Sequence, residues 1–213
     1  MNTYAVIGLG RFGTRIARKL SEMGNEVLAV DIKNDPVQQI ADDVTRAVVA
    51  DGRDKEVLRT LGVRNCDYAI VAIGENLSAS ILTTMNLKEL EVPYVLCKAN
   101  DRMHKRVLEK IGADRIIIPE SEVADRLAHT LGKPNILDYI ELSDKYGIVE
   151  EEPPRSWVGK TIRELNVNQK YGINVLGIKN GDLLEVSQIG DRKILPDDSI
   201  VILGNYDAIA KLK

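Results

Sequence analysis

Gly8-Leu9-Gly10-Arg11-Phe12-Gly13 sets a G-x-G-x-x-G pattern directly behind an apolar run, Thr3 to Gly8, and at the opening of a helical pattern, Phe12 to Met23. Strand, glycine turn and helix in that order constrain the fold strongly, because each glycine has its own task. Gly8 allows the tight turn, Gly10 lets backbone approach a phosphate, and Gly13 lets helix and strand pack closely. The helix N-terminus then presents free N–H groups and a positive dipole end to an anion. Asp31 closes the next apolar run. An acid about 20 residues beyond the turn accepts from both hydroxyls of an adenosine ribose and repels a 2'-phosphate. The expected ligand is therefore an unmodified adenosine ribose carrying phosphates: NAD(H), ATP or ADP.

The same alternation continues to about residue 132. Strands are expected at Thr3–Gly8, Glu26–Asp31, Thr45–Ala50, Tyr68–Ile73, Tyr94–Lys98 and Arg115–Ile118. Most are apolar throughout, as parallel strands covered on both faces must be. Helices are expected at Phe12–Met23, Pro36–Ala41, Lys55–Leu61, Leu77–Leu90, Met103–Ile111 and Glu122–Leu131, with Gly24, Gly62 and Gly112 placed to end three of them in left-handed caps. The fold class is α/β, a Rossmann-like doubly wound parallel sheet followed by a small α+β domain. Glu150-Glu151-Glu152-Pro153-Pro154 reads as a boundary, which divides the chain into 1–133, a linking region at 134–149, and 150–213. Beyond it, short helices are expected at Gly159–Leu165 and Val167–Tyr171, and strands at Val175–Lys179, Leu183–Ser187 and Ser199–Leu203.

Composition narrows the function classes. With 29 Lys and Arg against 32 Asp and Glu, the formal net charge of -3 argues against electrostatic nucleic-acid binding. No apolar run approaches the roughly 20 residues of a membrane span, and the N-terminus has no signal-peptide pattern, so a cytoplasmic location is expected. Cys66 and Cys97 are read as core residues. His104 and His129 fall in or beside helices with no evident carboxylate partner, and no catalytic constellation is recognised, so the reading is a nucleotide sensor and not an enzyme. A small NAD-dependent oxidoreductase is the alternative.

Open α/β sheets bind ligands outside the carboxyl ends of their strands. The turn residues Gly8, Gly10, Arg11, Phe12 and Gly13 are candidates there, with Arg11 either pairing with phosphate oxygens or lying solvated. Asp51 and Gly52 follow the third strand; Asp51 is suited to the adenine amino group. Ile73 and Gly74 follow the fourth and can lie against adenosine. Lys98 ends the fifth and can reach ribose or phosphate. Asp51 and Lys98 also read as loop charges or as a mutual ion pair. Glu120, after the sixth strand, either sits at a helix N-terminus for the dipole or helps hold Mg²⁺ or Ca²⁺.

Val6-Ile7-Gly8-Leu9-Gly10-Arg11-Phe12-Gly13, Val71-Ala72-Ile73-Gly74-Glu75-Asn76, Ile81-Leu82-Thr83-Thr84, Lys110-Ile111-Gly112-Ala113-Asp114 and Tyr139-Ile140-Glu141-Leu142-Ser143, in that order, give the chain a specific resemblance. It resembles the cytosolic regulatory subunits of Ktr and Trk potassium uptake systems, built from an RCK_N and an RCK_C domain, and is most similar to the Ktr type. The resemblance implies a non-enzymatic gating ring of dimers, typically an octamer, docked on a membrane K⁺-translocating subunit at the inner face of the membrane. An RCK sensor of another cation channel or antiporter is the related alternative. It implies ATP or ADP as ligand, NAD(H) in Trk-type relatives, and a divalent cation at Glu120 beside the phosphates. Carried over by motif, Gly8, Gly10 and Arg11 contact phosphates, Asp31 the ribose, and Asp51, Ile73, Gly74 and Lys98 line the pocket. The helices from Leu77 and Glu122 resemble interface and crossover elements. Many relatives bind cyclic di-AMP in the C-terminal domain, where this chain departs from the pattern: Asn168 replaces an arginine and Gln188 a proline.

Overall fold

The computed structural model describes residues 1–132 and 136–212. They divide into two compact units, Met1–Glu120 and Ser121–Lys213.

The first unit is a six-stranded sheet of β1 (Thr3–Ile7), β2 (Glu26–Asp31), β3 (Arg46–Val49), β4 (Tyr68–Val71), β5 (Tyr94–Lys98) and β6 (Arg115–Ile117). Every pair is parallel and the spatial order is β3-β2-β1-β4-β5-β6, which reverses direction between β1 and β4. The intervening helices are α1 (Arg11–Glu22), α2 (Asn34–Ile40), α3 (Lys55–Leu61), α4 (Leu77–Glu89) and α5 (Arg102–Ile111); α6 (Pro119–Gly132) follows β6, and from Ser121 on it belongs to the second unit.

Alternate strand residues feed different cores, which is why the strands carry few polar side chains. Ala5, Ile7, Val71 and Val95 join Leu58 of α3, Leu87 of α4 and Leu108 of α5 on one face. Val6, Val27, Ala29 and Ile70 join Ala17 of α1 and Ile40 of α2 on the other. Each fully buried Leu or Ile contributes about 1.5–3 kcal/mol. Gly24, Gly62 and Gly112 have φ of 81°, 82° and 92°, the left-handed conformation expected at those helix ends. α4 buries three hydroxyls beside Leu87: Ser80, Thr83 and Thr84 are inside while Leu77, Leu82 and Met85 are exposed. Thr84 bonds back to the Ser80 carbonyl at 2.8 Å, so its hydroxyl is satisfied within the helix.

The second unit holds a five-stranded antiparallel sheet of β7 (Ile136–Ser143), β8 (Tyr146–Glu151), β9 (Asn174–Asn180), β10 (Leu183–Glu185) and β11 (Asp198–Asn205), in the order β10-β9-β11-β8-β7. Short helices α7 (Ile162–Leu165), α8 (Val167–Tyr171) and α9 (Tyr206–Ile209) complete it. Trp157, Ile173, Ile178, Ile194, Ile200 and Ile202 form its core.

The linking region expected at 134–149 is corrected: β7 and β8 form a hairpin that belongs to this sheet. The acidic run misled because Glu150 is neutralised within the sheet. It accepts from Lys179 at 3.0 and 3.1 Å and from the Ser199 hydroxyl at 2.7 Å. A paired charge does not end a strand. The helix expected at Glu122–Leu131 lies within α6, and residues 133 and 134, expected to end it, lie outside the described residues.

Candidate nucleotide site

The reversal of strand order opens a crevice at the carboxyl ends of β1 and β4, and the glycine turn enters it. Gly8 has φ 97° and its Cα faces Ala72, whose carbonyl carbon would lie 3.0 Å from a Cβ there. A Cβ on Gly13 would strike the Gly8 carbonyl oxygen, so the α1 backbone lies directly on the turn. A Cβ on Gly10 would meet nothing within 4 Å, which leaves that side of the turn open. α1 is 12 residues long, has no side-chain N-cap and no acid in its first turn. By contrast α3, α4 and α5 are capped by Asp54, Asn76 and Asp101. The N–H groups opening α1 are thus left for an anion.

Asp31 stands beside this turn. Its Oδ2 accepts the Leu9 N–H at 2.6 Å and its Oδ1 the Lys33 N–H at 2.8 Å. One carboxylate therefore fixes the turn and still has lone pairs toward the crevice. Arg11 is exposed at the start of α1, whereas the Phe12 ring packs against the core shared with Leu9 and Ala17.

Three further loops converge around Gly74. A Cβ there would lie 3.2 Å from Asn100 Oδ1 and 3.6 Å from Lys98 Nζ. Asn100 Nδ2 also donates to the Gly74 carbonyl. Ile73 is half-buried against the core below. Lys98 Nζ bonds Glu120 Oε1 at 2.7 Å, with the lysine 14% and the glutamate 64% exposed. That bond holds the Glu120 carboxyl below the usual carboxylate range, and the Arg11 charge adds to it. Arg11, Lys98 and Glu120 are thus gathered at one end of the crevice.

Asp51 lies at the other end, beyond β3. Its partner is Arg53, not Lys98, which corrects the mutual-pair alternative. Arg53 Nη2 reaches Oδ2 at 2.6 Å, Nε lies 2.9 and 3.0 Å from the two oxygens, and the Arg53 N–H bonds Oδ1 at 2.9 Å. Those bonds hold the Asp51 carboxyl below the usual carboxylate range. Gly52 is buried between Ile7 and Thr83, where a Cβ would lie 2.9 Å from Ile7 Cγ2. Arg53 and Asn100 were not singled out from sequence. The only signal was their position one or two residues past candidates at strand ends.

His104 is buried, with Nε2 3.1 Å from the Ser80 hydroxyl and Nδ1 accepting the Asn100 N–H at 3.4 Å, and burial lowers its basicity. It ties α5 to Ser80 of α4 and to the Asn100 loop. The His129 side chain lies outside the described residues. Cys66 and Cys97 are buried, and desolvation pushes the Cys97 thiol up to about 11. Among the described residues no group of three or more His, Cys, Asp or Glu side chains is placed to hold a metal ion, and no helix is long and apolar enough to cross a membrane. In the second unit, Asn168 Nδ2 is bonded to Asn174 Oδ1 at 2.7 Å and Gln188 has φ 56°, a conformation closed to proline.

A parallel sheet in 3-2-1-4-5-6 order, with an uncapped helix behind a glycine turn and an acid ending β2, defines a Rossmann-type nucleotide-binding fold joined to a small antiparallel domain. The TrkA-N domain model matches residues 4–119 and the TrkA-C domain model residues 148–213. The chain belongs to this TrkA-N and TrkA-C family. Its relatives include the Ktr system potassium uptake protein C of Bacillus subtilis, 45% identical over 210 residues that span 99% of this chain and 95% of that protein. Among solved structures, the GsuK RCK domain matches with a TM-score of 0.70 at 19% identity, over 99% of this chain and 46% of that one. The GsuK channel bound to NAD matches with a TM-score of 0.69 at 19% identity, over 99% of this chain and 38% of that one. The chain thus spans less than half of the GsuK chains, and that likeness concerns the fold.

Proposed function

We propose that the chain is the nucleotide-sensing regulatory subunit of a potassium uptake system. ATP or ADP occupies the crevice and biases the protein between two conformations, and a membrane K⁺-translocating subunit reads the difference. The protein then works at the cytoplasmic face of the membrane, assembled from dimers into an octameric ring. The reading is supported by the relative named as a Ktr system potassium uptake protein and by the NAD-bound form of GsuK.

The observation that carries it is the pairing of an uncapped α1 N-terminus with Asp31 at the end of β2. Phosphates lie on the turn at Gly8, Gly10 and Arg11, and the ribose hydroxyls on Asp31. The adenine lies toward Asp51 and Gly52, and the terminal phosphate toward Gly74, Lys98 and Glu120. A divalent cation accompanying ATP has one carboxylate to use, Glu120, and takes the rest of its shell from phosphate oxygens and water, as Mg²⁺ commonly does. Lys98 engages only Oε1 of Glu120, which leaves Oε2 for the cation. The chain performs no chemistry on the nucleotide.

Asp31→Ala tests this directly. The account expects ATP and ADP affinity to fall by roughly a hundredfold, since a charged acceptor bonded to two hydroxyls is lost, with the circular dichroism spectrum unchanged. Undiminished affinity contradicts the ribose assignment.

A further inference from the structure

α5 carries charge that nothing else in the fold answers. Arg102, Lys105, Arg106 and Lys110 are all exposed, against a single acid in the helix, Glu109. Among the described residues none of the four enters an ion pair. Elsewhere in the same unit Lys19, Lys55, Arg59 and Lys88 each have an acid in reach, at 3.0, 2.7, 2.5 and 2.9 Å. Arg102, Arg106 and Lys110 stand at i, i+4 and i+8 and form one ridge about 12 Å long, opposite the buried His104 and Leu108. Lys105 flanks this ridge on one side and Met103, 65% exposed, on the other. Like charges at that spacing repel one another and weaken a helix. An anion from outside the chain relieves that repulsion.

The form of this face selects the anion. A ligand of defined shape is gripped by donors held in place, often in a bidentate fork. Here the four cations sit on the convex side of a helix, all exposed, so they answer to charge density and not to a fixed geometry. A plane of mobile phosphates offers that density over the whole length of the ridge. Met103 adds an apolar tip suited to the boundary between headgroups and acyl chains. A single-stranded nucleic acid is held by stacking on aromatic rings as well as by charge, and α5 has no aromatic residue.

We infer that the outer face of α5 docks on the anionic lipid headgroups of the membrane, with Arg102, Lys105, Arg106 and Lys110 against the phosphates and Met103 between them. The inference rests on the membrane location proposed above and adds a hold on the lipid itself, separate from any hold on a translocating subunit. The overall charge of -3 leaves this face as a local basic excess, so the rest of the surface does not compete for the lipid.

The test is co-sedimentation of the whole protein, with no membrane subunit present, on vesicles of mixed phosphatidylglycerol and phosphatidylcholine and on vesicles of phosphatidylcholine alone. Binding is expected to the mixed vesicles only, and to weaken as salt is raised. The triple variant Arg102→Gln, Arg106→Gln, Lys110→Gln is expected to lower the partition coefficient by roughly tenfold or more, since each cation at an anionic leaflet contributes about fivefold. Glutamine is a good helix former, so the circular dichroism spectrum should not change. A second triple variant, Lys145→Gln, Arg155→Gln, Lys160→Gln, removes the same charge from exposed positions of the second unit and is expected to lower partitioning by less than about threefold. No binding to the mixed vesicles, equal binding to both kinds, or equal loss in the two variants overturns the inference. Binding of a short DNA duplex that the first variant loses assigns the face to nucleic acid and overturns it too. The assay needs no nucleotide, so its failure leaves the nucleotide reading standing, and a failure of ATP and ADP to bind leaves the lipid face standing.

Discussion

Gly10 and Gly13 are three residues apart and answer to different demands. Gly13 is glycine because the Gly8 carbonyl occupies the space of its side chain, whereas nothing in the protein occupies that space at Gly10. Gly13→Ala should therefore destabilise the fold by about 3 kcal/mol, because a Cβ is fixed in place and the Gly8 carbonyl it meets is backbone that cannot swing aside. Gly10→Ala should change stability by less than about 1 kcal/mol, yet weaken nucleotide binding by roughly tenfold or more as its methyl blocks a phosphate oxygen from the helix N–H groups. Thermal unfolding and equilibrium binding on the two variants separate these effects; equal losses in both assays would contradict the division. The motif was legible in the sequence because glycine spacing maps directly onto backbone geometry. Arg53 and Asn100 were not, since their roles depend on which loops the folded sheet brings side by side.

At the scale of elements, β2, α3 and β5 begin and end where apolar periodicity and glycine punctuation place them. Periodicity failed where pairing outweighed polarity. The β7–β8 hairpin was hidden by Glu150 and Glu151, whereas α4 (Leu77–Glu89) falls within the expected Leu77–Leu90 even though hydroxyls make up much of its buried face. The second unit depends on another such pairing. Asp198, with no exposed side chain, accepts from Arg192 at 2.5 and 3.1 Å, from Asn180 at 3.0 Å and from the Leu195 N–H at 2.8 Å. The Arg192 hydrogen bond is the main reason its carboxyl is held down to about 2. An acid depressed on folding stabilises fully above its unfolded value, about pH 4, and that contribution is lost as pH falls through about 2. Asp198→Asn should cost about 3 kcal/mol at neutral pH by leaving Arg192 without its buried partner. It should also flatten the acid dependence of unfolding between about pH 4 and 2. Unfolding followed by tryptophan fluorescence reports this through Trp157, which lies in the same unit's core; an unchanged acid limb would contradict the assignment.

At the scale of the whole molecule, the two units divide the work. The first gathers an open helix end, the Asp31 carboxylate and the Arg11–Lys98–Glu120 group. The second is a separately cored antiparallel sheet. A switch needs differential binding: a ligand with equal affinity for two states shifts neither. ATP and ADP differ at the terminal phosphate, which the account places against Lys98 and Glu120, the end of the crevice where Glu120 keeps an oxygen that Lys98 does not engage. The most direct measurement is titration calorimetry of the nucleotide-stripped protein with ATP, ADP, NAD⁺ and NADH, each with and without Mg²⁺. The account predicts that ATP and ADP both bind and that Mg²⁺ changes the affinity for ATP alone. Binding confined to NAD⁺ or NADH without any effect of Mg²⁺, or no binding of any of the four, would contradict it.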